Sequence, residues 1–239
     1  NSRENKITPW SNDYITDPLG EALYIKDDSS GNYFSISPKP VRDSGEYIIK
    51  HGFGYSEFIH SAYDIKGRLE VFVPRNEKVK IQKVTLENLS NEDKEISLFY
   101  YAKMVLGVYE YDSSKYITTE IKGLDEIKNN QESSTESSST YTENNLNGIS
   151  NMNTEVKYIT ANNPYSEYFG NLYAYLTLLG GNKLKFTGDA REFIGNNGEL
   201  SSPEILRTNN DLSNRSGSIY DPCLAASTKI FIPKGQRVE

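Results

Sequence analysis

Apolar side chains recur at every second position wherever this chain is regular. Leu69, Val71 and Val73 share one face of an extended segment; Ile96, Leu98 and Tyr100 share one face of another, in alternation with Ser97, Phe99 and Tyr101. Successive strand residues point to opposite faces, so a period of two predicts β-strands. Val79 and Ile81 alternate in one phase and Val84 and Leu86 in the other, which predicts a β-bulge or bend across Gln82–Lys83. Further strand-like stretches, rich in Tyr, Ile, Val, Thr and Leu, run over 116–121, 156–161, 172–179, 184–186 and 229–232.

Turn chemistry separates these stretches. Asp17-Pro18-Leu19-Gly20 has the residues a type I turn favours at its first, second and fourth positions. Gly180-Gly181-Asn182 reads as a hairpin turn, and Asn197-Gly198 as another turn. No window of ten or more residues carries a 3.6-residue period, so helix is expected only in short pieces. The fold class is all-β. This many strands predict a large sandwich of antiparallel sheets, because each sheet must bury one face against another. Residues 129–150 are almost all Asn, Ser, Thr, Glu and Gln, too polar to offset the entropy of ordering. They are expected to form a long surface excursion within one domain spanning residues 1–239, since strand-like sequence resumes on both sides.

Charge and composition remove several functions. The chain has 33 acidic against 26 basic residues, a formal net charge of -7, and no Lys/Arg cluster, which argues against nucleic-acid binding. No apolar run reaches the roughly 18 residues of a membrane helix, so no membrane contact is expected from this chain. Cys223 is the single cysteine, so no intrachain disulfide or thiolate cluster can form; a buried structural thiol in a reducing, cytoplasmic setting is expected. The chain lacks an initiating Met and breaks off soon after Ile230-Phe231-Ile232, which leads to the expectation that it belongs to a longer polypeptide.

Candidate chemistry is sparse. His51 and His60 are the two histidines, and with a carboxylate either has the chemistry for proton transfer at a sugar's anomeric centre. The competing assignment makes both ordinary polar residues of a loop and a strand. HExxH, CxxC, EF-hand, phosphate-loop and GxSxG patterns are missing, so no metal or cofactor is expected. Eighteen tyrosines suit sugar-binding platforms, since a ring face packs against the C–H face of a pyranose, although most rings belong in the core.

Two stretches are more specific. One is Asn1-Ser2-Arg3-Glu4-Asn5-Lys6-Ile7-Thr8-Pro9-Trp10-Ser11-Asn12-Asp13, followed by Asp17-Pro18-Leu19-Gly20-Glu21-Ala22-Leu23-Tyr24. The other is Asp189-Ala190-Arg191-Glu192-Phe193-Ile194-Gly195-Asn196-Asn197-Gly198, followed by Arg215-Ser216-Gly217 and Asp221-Pro222-Cys223-Leu224-Ala225-Ala226. With Val71-Phe72-Val73-Pro74 and Val84-Thr85-Leu86-Glu87-Asn88 between them, they resemble the β-supersandwich domain of cyclic β-1,2-glucan synthases and cellobiose phosphorylase-type inverting glycoside phosphorylases, formerly glycosyltransferase family thirty-six. The likeness runs from residue 1 to about 235, with the polar insert as its main departure.

The resemblance implies a galactose-mutarotase-like supersandwich that precedes an (α/α)6 barrel, where the general acid and the phosphate site lie. It implies a β-glucan oligosaccharide and inorganic phosphate as partners of the parent enzyme, and a supporting role here: bracing the barrel, a homodimer contact, or the active-site rim. The candidates for rim or interface are Arg3, Asn5, Trp10, Arg191 and Asp221. For residues 3–10 the alternative is a structural turn in which Arg3 pairs with Glu4 and Trp10 fills the sandwich edge. For Arg191 an ion pair with Glu192 that fixes the loop is favoured over a contact to a sugar hydroxyl or phosphate. Asn196-Asn197-Gly198 is expected to be a positive-φ turn. The parent is expected in the cytoplasm or on the cytoplasmic face of a membrane. A free-standing carbohydrate-binding module and a mutarotase-like epimerase remain as alternatives.

Overall fold

A computed structural model of the chain describes residues 6–13, 15, 18–123 and 156–239. The polar excursion at 129–150 lies outside the described residues, as does Asp17 of the expected type I turn. The first part of the chain forms β1 (Glu21–Asp27), β2 (Tyr33–Phe34), β3 (Tyr47–Gly52), β4 (Tyr55–Ala62), β5 (Ile65–Phe72), β6 (Ile81–Asn88) and β7 (Lys94–Lys103). After a short α1 (Glu110–Ser113) and a 3₁₀ turn (Ser114–Tyr116) come β8 (Thr118–Gly123), β9 (Lys157–Asn162), β10 (Ala174–Leu176) and β11 (Asn182–Asp189). Helices α2 (Ala190–Ile194) and α3 (Glu204–Arg207) precede β12 (Gly217–Ser218), β13 (Pro222–Ile232) and β14 (Arg237–Val238).

These strands form three antiparallel sheets. The central sheet runs β11-β13-β7-β1-β2, the second β14-β6-β5-β4-β3 and the third β10-β9-β8-β12. Its spine is the long pair β7 and β13, in register from Cys223 opposite Lys103 to Ile232 opposite Lys94. One face of the central sheet, through Leu23, Ile25, Leu98, Tyr100, Leu224 and Ala226, packs onto Leu69 and Leu86 of the second sheet and Ile159 and Ala161 of the third. The other face, through Tyr24, Phe99, Tyr101 and Ala225, is covered by Phe193 of α2 and by Ile205 and Leu206 of α3. With both faces covered, Phe99 and Tyr101 are as buried as Leu98 and Tyr100. The small residues Ala225, Ala226 and Ser227 let layers approach β13 from both sides. Each large side chain so buried contributes roughly 1.5–3 kcal/mol.

Several expectations are corrected. The β5–β6 register is continuous from Ile65 opposite Asn88 to Phe72 opposite Ile81, with no bulge at Gln82–Lys83. The change of phase arises because Ile81 faces outward and is exposed, whereas Val84 and Leu86 face the core. The irregularities lie instead in β11, between Asn182 and Lys185 and between Thr187 and Asp189. Gly180 and Gly181 have positive φ, as a tight turn needs, but β10 and β11 lie in different sheets, so this turn is a crossover and not a hairpin. The stretch at 172–179 pairs only over Ala174–Leu176, and the one at 116–121 opens as a 3₁₀ turn. Asn197 has φ 58° and forms the expected turn. Among the described residues the α-helices have four or five residues, in keeping with the missing 3.6-residue period.

Candidate functional site

Several connections meet where β7 leaves the central sheet. Lys103, its last residue, donates its backbone N–H to the Gly20 carbonyl (2.9 Å), which brings the segment before β1 alongside. That approach requires a glycine, because a Cβ at Gly20 would lie 2.9 Å from Thr8 Cβ. The N-terminal segment then runs antiparallel to the end of β7: Lys6 N–H donates to the Gly107 carbonyl (2.9 Å), and Val105 N–H to that of Ile7 (2.9 Å). Trp10 follows directly and is half-buried. Arg3 and Asn5, and the Arg3–Glu4 pairing, lie outside the described residues.

Asp221 precedes β13 at this same end and forms an ion pair with Lys103, whose ammonium also lies 3.2 Å from Glu110 Oε1. Burial works against the Lys103 charge, but hydrogen bonding and attraction from Asp221, then Glu110, outweigh it and hold the ammonium above the ordinary lysine range. The Asp221 carbonyl accepts from Ala190 N–H (2.9 Å), which fixes α2 beside it. Asp189 caps α2 by accepting from Arg191 N–H (3.0 Å), and its other oxygen pairs with Arg215 (2.7 Å).

Arg191 does not pair with Glu192. Its guanidinium is exposed and lies 4.8 Å over the ring of Tyr220, a cation–π contact. Glu192 turns the opposite way and accepts from the Thr187 hydroxyl (2.5 Å), the Ser213 N–H (2.6 Å) and the Ser213 hydroxyl (3.0 Å). Consecutive residues of a helix point about 100° apart, so one faces the protein and the other solvent. Trp10, Arg191 and Asp221 thus gather at one end of the fold.

Sequence reasoning missed the rings around them. Tyr109, Tyr111, Tyr116, Tyr165 and Tyr220 are all exposed here, Tyr111 at 85% and Tyr220 at 77%. Lys6 sits 5.8 Å over Tyr109, Lys115 sits 5.3 Å over Tyr116, and Tyr116 and Tyr165 lie 4.8 Å apart. The signal was the run of tyrosines at 109–116, which follows no strand or helix period. Exposed Tyr together with Arg is the composition of recognition surfaces.

The histidines are not brought together. His60 is buried and stacked on Tyr47 (3.8 Å between centroids), with Nδ1 2.9 Å from the Glu46 carbonyl and Nε2 3.0 Å from Asp43 Oδ2. It pins the 43–46 loop to β4. His51 is exposed, 2.9 Å from the Ser56 hydroxyl across the hairpin, and Ser56 lies about 13 Å along β4 from His60. Cys223 is fully buried, and burial followed by the field of Asp221 pushes its thiol well above the ordinary range. Among the described residues, no group of three or more His, Cys, Asp and Glu is placed to hold a metal ion.

Comparison with known proteins fits this architecture. The sequence profile of the glycosyl hydrolase 94 supersandwich domain matches residues 1–144 and 135–239. The chain belongs to that family. It is 24% identical over 236 residues, 98% of its length, to the cyclic β-(1,2)-glucan synthase NdvB of Rhizobium meliloti strain 1021, and covers 7% of that protein. Over 115 residues, 47% of its length, it is 33% identical to the N,N'-diacetylchitobiose phosphorylase of Vibrio proteolyticus, covering 14% of it. Over 99 residues, 39% of its length, it is 32% identical to the solabiose phosphorylase of Paenibacillus borealis, covering 13% of it. The chain therefore spans only a small part of each of these relatives.

Proposed function

We propose that this chain is the supersandwich domain of a larger enzyme acting on β-glucans, a phosphorylase or a cyclic glucan synthase, and that the bond-breaking groups reside in another domain. The end bearing Lys103, Asp221 and the exposed tyrosines serves as the face that meets the catalytic domain, and Trp10 and Arg191 lie on its rim. The observation that carries this reading is the gathering of Trp10, Arg191, Asp221 and exposed rings at one end of a domain that covers 7% of its synthase relative.

The carboxylates at this end support a structural role. Asp221 is tied to Lys103, Asp189 to Arg215 and the α2 cap, and Glu192 to Thr187 and Ser213. A general acid must be free to reach the glycosidic oxygen, and each of these three carboxylates is instead engaged by partners within the chain. Inorganic phosphate and a β-glucan oligosaccharide are then substrates of the whole enzyme, and a homodimer belongs to the same proposal. The test is phosphate-dependent release of a sugar 1-phosphate from β-glucan oligosaccharides. The complete enzyme should release it and the 239-residue chain should not. Release by the chain alone would overturn the assignment.

A further inference from the structure

The third sheet has a face that no other element covers among the described residues. The register places Glu120 opposite Thr160, Thr160 opposite Tyr175, and Lys122 opposite Tyr158, so all five point to one side, while Ile121, Ile159 and Leu176 point into the core. On the outward side a groove of about 470 Å³ is lined by Lys122, Tyr158, Thr160, Tyr173, Tyr175 and Thr177. Its volume lies within the roughly 300–1,000 Å³ of small-molecule sites. It is separate from the Lys103 end and contains none of the residues singled out from sequence.

We propose that this groove is a binding site for a neutral oligosaccharide, auxiliary to catalysis. Three features select that ligand. Tyr173 and Tyr175 are 62% and 54% exposed, an unusual cost for two neighbouring rings unless their faces are used, and ring faces pack against the C–H face of a pyranose. The polar groups supply both hydrogen-bonding senses. Thr177 donates its hydroxyl to the Lys157 carbonyl (2.7 Å), which leaves the oxygen's lone pairs as acceptors for sugar hydroxyls, while Thr160 is buried in the floor of the groove; Lys122 and the tyrosine O–H groups are donors. Finally, the Lys122 ammonium, 5.9 Å over the Tyr173 ring, is paired with Glu120 at 2.8 Å. The groove thus offers no net charge, and the complementary ligand is uncharged; a phosphate ester or an acidic peptide would meet a cation already compensated.

That the sugar is a β-glucan rests on the function proposed above; the site itself does not. The test is titration of the 239-residue chain with a linear β-1,2-linked gluco-oligosaccharide and, in parallel, with cellotetraose, followed by NMR of the tyrosine rings. Saturable shifts should appear at Tyr173 and Tyr175 with at least one of them. Tyr175→Ala should weaken binding about tenfold, whereas Phe53→Ala at the exposed tip of the β3–β4 hairpin should leave it unchanged. Both positions are exposed, so neither variant threatens the fold. No saturable shift with either sugar, shifts at Tyr220 instead, or binding indifferent to Tyr175→Ala and Tyr173→Ala would each overturn the site. Sugar binding here together with no sugar 1-phosphate from the complete enzyme would uphold the site and sink the enzymatic reading, and the reverse pattern would do the opposite.

Discussion

Lys103 and Asp221 form the ion pair that joins the end of β7 to the start of β13, the two longest strands of the fold. The ammonium is mostly enclosed, with 17% of its side chain exposed, and Glu110 is its second partner. Asp221→Ala would leave that cation with Glu110 alone. The expected loss is about 1–3 kcal/mol, below the full cost of an orphaned buried charge because Glu110 remains. Urea unfolding checks it, and Lys103→Met combined with Asp221→Ala should recover part of the loss, because the uncompensated charge is then gone.

Acid stability should depend on Asp27. Burial opposes its ionisation, but hydrogen bonds from Lys94 and Ser29 overcome that and hold the carboxyl down to about 2. A carboxyl depressed in the folded state stabilises it fully above the ordinary carboxylate value near 4, and that contribution vanishes as pH falls through about 2. The contribution is about 1–2 kcal/mol after allowance for solvent screening. Asp27→Asn should therefore lower the urea midpoint at neutral pH and flatten its decline between about pH 4 and pH 2. An unchanged acid profile would contradict the assignment.

Gly67 marks the tightest contact between β5 and the chain that covers it. A Cβ there would fall 2.7 Å from Ile36 Cγ1, and Ile36 is itself buried. Gly67→Ala should cost about 1–3 kcal/mol by overpacking. Adding Ile36→Val, which removes the Cδ1 that the new Cβ would meet at 2.8 Å, should return part of it. Equal stability of wild type and Gly67→Ala, measured by thermal unfolding, would show that the core yields here.

Local pattern made the strands legible and left their partners hidden. The alternation at 96–101 identified β7, and the β-branched and apolar run at 229–232 marked the end of β13. The first half of β13, Pro222-Cys223-Leu224-Ala225-Ala226, was recognisable as a motif but not as a strand, because burial on both faces erases alternation. Ile81 misled for the converse reason, being an apolar residue on an outward face. The meeting of Arg191 with Tyr220 depends on the Ala190 to Asp221 hydrogen bond, a contact between segments some thirty residues apart that no local period encodes. The groove was hidden likewise: Lys122, Tyr158 and Tyr175 come from three strands and meet only through their register.

The central claim, that the Lys103 end is the face that meets the catalytic domain, is tested most directly by hydrogen–deuterium exchange on the 239-residue chain and on the complete enzyme. Peptides covering 6–10, 105–117 and 219–222 should exchange more slowly in the complete enzyme, while the exposed hairpin tip around Phe53 should be unchanged. Protection confined to the β3 and β4 hairpin, with the Lys103 end exchanging equally in both, would contradict the account.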